Sequence, residues 1–430
     1  MSNRICAGCP PGQPHDKLPA MPEFLSLVPP PEALEILLAH LDLPVVAETI
    51  PTRAALGRVL GEDLQATVAL PEFPRSTVDG FAVRARDTFG ASDALPAYLR
   101  LAGEIPMGAR APFDLEVAEC ALIHTGGMVP TGADAVVMVE HTRATSPVEI
   151  EVYRAAAPGE NVIQVGEDVR AGQVVLKRGT RIRPAELGGL MALGFVETPV
   201  TRKPRVAILS SGDEVVPPEV EPEPGQVRDV NSYALEALVR AAGGEPVLYP
   251  ILPDRIDAFR EAAQRALASS DLVLFTAGSS VSVRDLTAEV IAGLGEPGVL
   301  VHGISVRPGK PTILAVCGGK PVVGLPGNPV SALVIARIFV VPVIERFLGL
   351  ERSGAEASVA ARLMANIPSQ AGREDWIPVR LTLDSDGYQA EPVYGRSNLI
   401  FTLTRADGLI RIPAPANGLA TGSTVVVYLL

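Results

Sequence analysis

Positive charge is in deficit. Lys and Arg number 37 against 49 Asp and Glu, a formal charge of −12 spread along the chain rather than held in a tail. That balance excludes general binding to nucleic acid or to an anionic membrane surface, so an anionic ligand must be met by a few local cations and backbone amides. Long uninterrupted apolar runs are also missing. The greasiest stretch, Val330 to Leu350, is broken by Arg337, Glu345 and Arg346, and reads as a buried helix instead of a membrane span. The first residues carry neither an apolar run nor a cleavage pattern, which argues against a signal peptide. Only four cysteines occur (Cys6, Cys9, Cys120, Cys317), as expected in a reducing compartment, so the chain is expected to be cytoplasmic. Cys6-x-x-Cys9 with His15 lacks the second ligand pair of a closed zinc site, and the five histidines show no metal-ligand spacing.

What is present points to several folded parts. The 430 residues exceed one ordinary core, and 47% of them are apolar. Gly and Pro stand at 40 each while aromatics reach only 4%, which suits short strands and tight turns joined to an α/β portion. Residues 1–22 read as a disordered tail. A helix is expected over 31–41, with Pro31 in its first turn. Residues 71–165 alternate in short strand-like runs and read as a β-rich domain. The flanking segments 23–70 and 166–200 are expected to form a linking helical and mixed domain. From 201 to 349, fully apolar strands alternate with amphipathic helices, the pattern of a mostly parallel, doubly wound sheet covered on both faces. Residues 350–430 return to short strands with turns such as SDG, ANG and TGS, and should form a small β-barrel or sandwich. The fold class expected is therefore α/β plus β, in a multi-domain chain.

In an open α/β sheet, ligands bind beyond the carboxyl ends of the strands, where helix N-termini offer unpaired N–H groups. Three strand-to-loop junctions here are polar and glycine-containing: Ser210–Glu214, which includes Ser211, Gly212 and Asp213; Thr276–Ser282, which includes Gly278 and Ser279; and Gly324–Ser331. One such loop would be mere turn chemistry, but three on one edge suggest a polyanion site. In the last, Asn328 suits an N-cap and Pro329 the first helical position, while Pro326 stiffens the loop before Gly327 and Ser331. Arg307-Pro-Gly-Lys310 sets two cations on a stiff turn suited to a tetrahedral oxyanion or phosphate, without the spacing of a P-loop. Asp254 and Asp285 each follow a strand and precede a helix. N-capping accounts for either alone, but as a pair on this edge they could hold Mg²⁺ against a phosphoanhydride. Asp79-Gly80 by itself reads as a hairpin turn, and Asp168 and Glu214 are individually unremarkable.

Taken together, Ser76–Arg84, His124–Gly127, Gly132–Val137, Gly166–Asp168, Ser211–Glu214, Pro308–Pro311 and Leu325–Ser331 resemble, in order, the molybdopterin molybdenumtransferase family, which includes the C-terminal domain of gephyrin. The likeness runs from about residue 23 to 430. It implies an elongated multi-domain chain, a homodimer with four domains per subunit, and a cleft shared between the α/β domain of one copy and the β-rich domain of the other. It implies Mg²⁺ on Asp254 and Asp285, adenylyl-molybdopterin and molybdate as substrates, and release of AMP. Asp79, Thr125, Asp168 and Glu214 match functionally important positions, while Lys310, Ser331, Arg373 and Ser397 match positions that contact molybdate or the pterin phosphate. The chain departs from the family pattern at Ala277–Val283, at Arg307 and Gly303 where lysines are usual, and at Asn161–Val165. Those departures keep a second reading open, a non-catalytic or tungstate-specific molybdopterin-binding paralogue, which AMP release would distinguish.

Overall fold

The computed structural model describes residues 27–276, 281–350 and 356–430, with 281–285 placed by backbone alone. The tail bearing Cys6 and Cys9, and the loop residues Gly278 and Ser279, lie outside these. The described chain falls into two compact units. One holds 204–344 and 356–430 together with the helix near residue 30; the other is built from 43–203 with 345–350.

The first unit is organised by a six-stranded sheet. We label its strands β1 (Arg205–Ser210), β2 (Glu245–Leu248), β3 (Leu272–Thr276), β4 (Pro297–His302), β5 (Ile313–Cys317) and β6 (Lys320–Leu325). Their order across the sheet is β2-β1-β3-β6-β5-β4; the first three pairings are parallel and the last two antiparallel. Strands β3 and β5 are buried at every residue, which is why they read as unbroken apolar runs rather than as alternation.

Helix Ile256–Ser269 covers one face. It buries Phe259, Ala262, Ala263 and Ala266, the i, i+3, i+4, i+7 stripe that its sequence shows, against Ala207, Val273 and Phe275. Phe259 and Phe275 stack with centroids 6.4 Å apart. On the other face lies helix Asn231–Ala242, which ends on Gly243 at φ 100°, where the N–H groups of Gly243 and Gly244 bond back to Arg240 and Val239.

Helix Pro30–Ala39 packs on β4 and β5 and so travels with this sheet, not with the mixed segments it adjoins in sequence. Its buried face, Ala33 and Leu37, reads one helical turn apart, and a periodicity fixes a face without saying which sheet it covers. The long helix expected from Asn328 is present, interrupted by one π-helical turn at Ala336–Val340 between Pro329–Ile335 and Val341–Phe347.

The end of the unit is a closed barrel. Strands Glu374–Asp384, Gly387–Pro392, Ser358–Leu363, Thr424–Leu429 and Gly408–Ile412 pair in sequence, and the last returns to the first. The apolar run GVLVHGISV begins within β4. Its end leaves the sheet: after a turn at Gly303 (φ 109°), Val306–Arg307 pairs in parallel with Glu374–Asp375 of the barrel.

In the second unit, a six-stranded sheet runs Ala135–Met138, Gly80–Val83, Glu119–Ile123, Ala97–Glu104, Glu149–Val152, Thr142–Ser146. Beside it, Ala47–Pro51 pairs antiparallel with Glu197–Thr201, and Leu64–Gln65 pairs with Val174–Leu176. Asp79-Gly80 is not a hairpin tip, contrary to the local reading. Gly80 opens an inner strand, and a Cβ there would stand 2.0 Å from the Val137 carbonyl oxygen. The dipeptide signals a turn, but here the glycine is demanded by close backbone approach.

Candidate functional site

The carboxyl ends of β1, β3 and β6 meet at one edge of the sheet, and the loops that follow them line a cleft of about 620 Å³. Ser211 and Glu214 come from the loop after β1, Thr276 ends β3, and Gly327, Asn328 and Pro329 follow β6. Asn398 and Ile400 of the barrel complete the wall. Ser211 is only 3% exposed, and its hydroxyl has no hydrogen-bond partner. Its own N–H donates to the Thr276 carbonyl (3.1 Å), while Gly212, at φ 142°, donates to Leu252 (3.3 Å). A Cβ on Gly212 would come within 2.9 Å of the Glu214 carboxylate, so glycine there keeps the loop tight around that acid.

Asn231 ties the loops together, and sequence reasoning missed it. Its Nδ2 donates to Thr276 Oγ1 and to the Gly327 carbonyl, both at 2.8 Å, and its buried Oδ1 is left without a partner. A signal was available: Asp229 accepts the Ser232 N–H at 3.0 Å, a helix-start pattern three residues long that places Asn231 in the first turn at this edge.

Asp254 is joined to the β1 loop, its N–H donating to Asp213 Oδ1 at 3.2 Å. Burial pushes its carboxyl above the usual range; a hydrogen bond to it from the Asp213 backbone opposes the shift, and the charges of Asp213 and Glu214 add to it. Its Oδ1 is buried and unpartnered. A desolvated carboxyl beside two further acids, with an orphaned oxygen, fits a divalent cation. Among the described residues no three His, Cys, Asp or Glu side chains stand close enough to hold a metal by themselves. Asp285 falls within helix Val281–Ala292, and its side chain lies outside those described.

At the start of helix Pro329–Ile335 the arrangement departs from expectation. Asn328 holds the N-cap position, but its side chain makes no cap; Nδ2 donates instead to Ser397 Oγ at 2.9 Å. The Val330 N–H donates to the Ser397 carbonyl at 3.1 Å. One of the amides expected to be free for an anion is therefore occupied by the barrel, and Ser397 is drawn against Asn328, three residues before buried Ser331.

A second constellation is cationic. Arg307 and Lys310 share the turn after the short strand Val306–Arg307, and both are exposed. Gly309 stands at φ 121°, with room for no Cβ, since one would meet Ile335 at 2.4 Å. Arg373 Nε donates to Asp375 Oδ1 at 2.9 Å, and Arg307 Nη1 lies 3.6 Å from Asp375 Oδ2. Asp375 was not anticipated, because nothing in its local sequence marks it.

Asp79, Thr125 and Asp168 belong to the second unit. Asp79 accepts the Thr125 N–H at 2.8 Å and its hydroxyl at 3.2 Å. The Thr125 N–H lowers the Asp79 carboxyl below its usual range, with nearby His124 assisting. Asp168 sits on a turn whose N–H groups at 168 and 169 both reach the Leu70 carbonyl at 3.1 Å.

Three family models match the chain: the MoeA N-terminal region (domain I and II) over residues 28–194, the "Probable molybdopterin binding domain" over 207–346, and the MoeA C-terminal region (domain IV) over 360–430. A molybdopterin molybdenumtransferase of a Nostoc species is 33% identical, covering 92% of this chain and 91% of its own length. Molybdopterin molybdenumtransferase 2 of Mycobacterium tuberculosis is 35% identical, covering 88% and 94%. The crystal structure of the molybdopterin biosynthesis MoeA protein of Pyrococcus horikoshii OT3 superposes with a TM-score of 0.83 at 33% identity, covering 94% of this chain and all of the other.

Proposed function

The chain belongs to the MoeA family, in which the Nostoc and Mycobacterium tuberculosis relatives are named molybdopterin molybdenumtransferases, and from that membership we propose that it transfers molybdate onto the dithiolene of adenylyl-molybdopterin with release of AMP. The observation that carries the reading is the convergence of the loops after β1, β3 and β6 on one cleft, with Asp254 tied to the first of them through its N–H and its Oδ1 left without a partner.

In this reading the cleft binds the phosphorylated pterin. Ser211 and Asn231 offer it an unpaired hydroxyl and an unpaired acceptor, both already desolvated, so hydrogen bonds to the ligand replace no water shell. Ser331, Ser397, Lys310, Arg307 and Arg373 receive the oxyanion, local cations doing what a chain of charge −12 cannot do globally. Asp254, with Asp285, would hold Mg²⁺, which when bound neutralises charge on the phosphoanhydride oxygens. Asp213 and Glu214 keep Asp254 in its buried pose and make the pocket acidic enough to favour a divalent cation. Gly278 and Ser279 are assigned to the same phosphate edge by resemblance. Asp79, Thr125 and Asp168 are assigned roles in substrate handling on the same footing.

Asp285→Ala should leave binding of the adenylylated pterin within about twofold while lowering AMP release at least about a hundredfold, the scale of losing a charge-stabilising group. AMP formation at the wild-type rate in that variant would remove Asp285 from the scheme. We further propose a cytoplasmic homodimer. Light scattering should then return twice the 45.1 kDa chain mass, and a monomer at micromolar concentration would refute it.

A further inference from the structure

Asp375 is fully buried, at 0% exposure, at the seam where Val306–Arg307 joins the barrel as a parallel strand, with Arg307 and Asp375 as register partners. Its Oδ1 takes the Nε–H of Arg373 at 2.9 Å. Its Oδ2 lies 3.6 Å from Arg307 Nη1, too long for a hydrogen bond, and has no hydrogen-bond partner. The two guanidiniums it holds are not buried with it, since the Arg307 and Arg373 side chains are 60% and 32% exposed. The adjoining Glu374 is occupied elsewhere, accepting the Trp376 Nε1–H at 2.8 Å.

A fully buried carboxylate between one exposed and one half-buried arginine is an unusual way to place charge. A surface pair would cost less desolvation, and a purely structural pair would bury the arginines as well. The geometry has a specific chemical effect. Asp375 engages Arg373 through Nε, and its second oxygen takes no hydrogen bond, so the terminal Nη groups of Arg373 are not spent on this carboxylate. The register pairing brings the Arg307 backbone alongside, and Lys310 follows on the same stiff turn. One buried negative charge offsets part of the repulsion between two cations that must share a small region, and the trio keeps a net positive charge.

We propose that Asp375 is the positioning residue of the oxyanion site, holding Arg373 and Arg307 in the geometry that receives a tetrahedral oxyanion. This rests on the reading that these arginines meet the oxyanion substrate. Asp375 does not touch the substrate; it acts through the two guanidiniums. Its effect should therefore appear in the concentration dependence of the oxyanion and not in the handling of the pterin.

The test compares full-length wild type with Asp375→Asn, following AMP release from adenylyl-molybdopterin as molybdate is varied. The variant is expected to need about tenfold more molybdate for half-maximal release, the weight of one charge-assisted hydrogen bond, with the maximal rate and the pterin dependence within about twofold. An unchanged molybdate dependence, or an equal loss in the maximal rate and in both substrates, would overturn the proposal while leaving the insertase reading intact. If wild type releases no AMP in response to molybdate, both fall. Should the variant fail to fold, wild type itself carries the test through ¹H–¹⁵N spectra. The Arg373 Nε–H signal, assigned by its disappearance in Arg373→Lys, should resist solvent exchange and shift on adding molybdate. A rapidly exchanging signal, or one indifferent to molybdate, would overturn the assignment.

Discussion

Single side chains at the cleft carry charge that the surrounding fold opposes. Asp254 is the clearest case, because burial raises its carboxyl pKa and two neighbouring acids reinforce the shift. A carboxyl raised on folding binds protons more readily in the native state. Its contribution therefore favours the fold below the unfolded-state value, and is lost as pH rises through the raised one. At neutral pH without metal, the ionised Asp254 thus works against stability. Asp254→Asn should melt higher than wild type at pH 7.5 in a chelator, and the advantage should vanish at pH 4. Saturating Mg²⁺ should raise the wild-type Tm by several degrees, since ligand at a hundred times its Kd adds about 2.7 kcal/mol, and should leave the variant unmoved. Calorimetry with and without Mg²⁺ decides this, and an equal rise in both proteins would take Asp254 out of the cation site. At this scale the sequence is uneven. Gly309 and Gly212 were legible, since a glycine between a proline and a lysine, or between a serine and two acids, announces a turn. Asp375 and Asn231 were not, because a buried polar group is defined by partners far along the chain.

Elements were more legible than their junctions. The apolar runs of β1, β3 and β6 and the alanine stripe of Ile256–Ser269 carry their periodicity in plain view, and the sheet they form follows from it. The short strand Val306–Arg307 did not, since two residues have no period and their partner lies in the barrel. The start of helix Pro329–Ile335 shows the same limit. Asn before Pro reads correctly as a helix start, yet the Asn328 side chain serves a residue 69 positions away instead of its own helix. That clamp makes a measurable claim. Asn328→Ala and Ser397→Ala should each cost about 1 kcal/mol in urea unfolding, and the double variant should fall short of the sum by about 0.5–1 kcal/mol. Strict additivity would mean that the 2.9 Å contact contributes nothing.

The molecule as a whole is a sheet-bearing unit interrupted by an inserted one. The interruption begins near residue 43 and ends near residue 203. At its base, Ala47 and Thr201 are register partners, and the Arg202 N–H donates to the Val46 carbonyl at 2.7 Å. The sequence pattern joins the flanks 23–70 and 166–200 in one domain around the β-rich 71–165; it does not show that helix Pro30–Ala39 belongs to the other unit, leaving an insert whose two ends meet. Because they do, replacing 43–203 with a short Gly/Ser turn should leave a chain whose sheet and barrel still unfold cooperatively, with a Tm lowered by the loss of contacts to 345–350, among them the Thr201 hydroxyl on the Leu348 carbonyl. Circular dichroism melts would show it, and a non-cooperative, molten product would contradict it.

The paired base at Ala47 and Thr201 also bears on ancestry. A module whose two cut points are neighbours can be gained or shed by a single recombination event, leaving the host sheet with nothing to rebuild except one tight bend. The loops that line the cleft would ride through such an exchange untouched, so chains that share them need not share the insert.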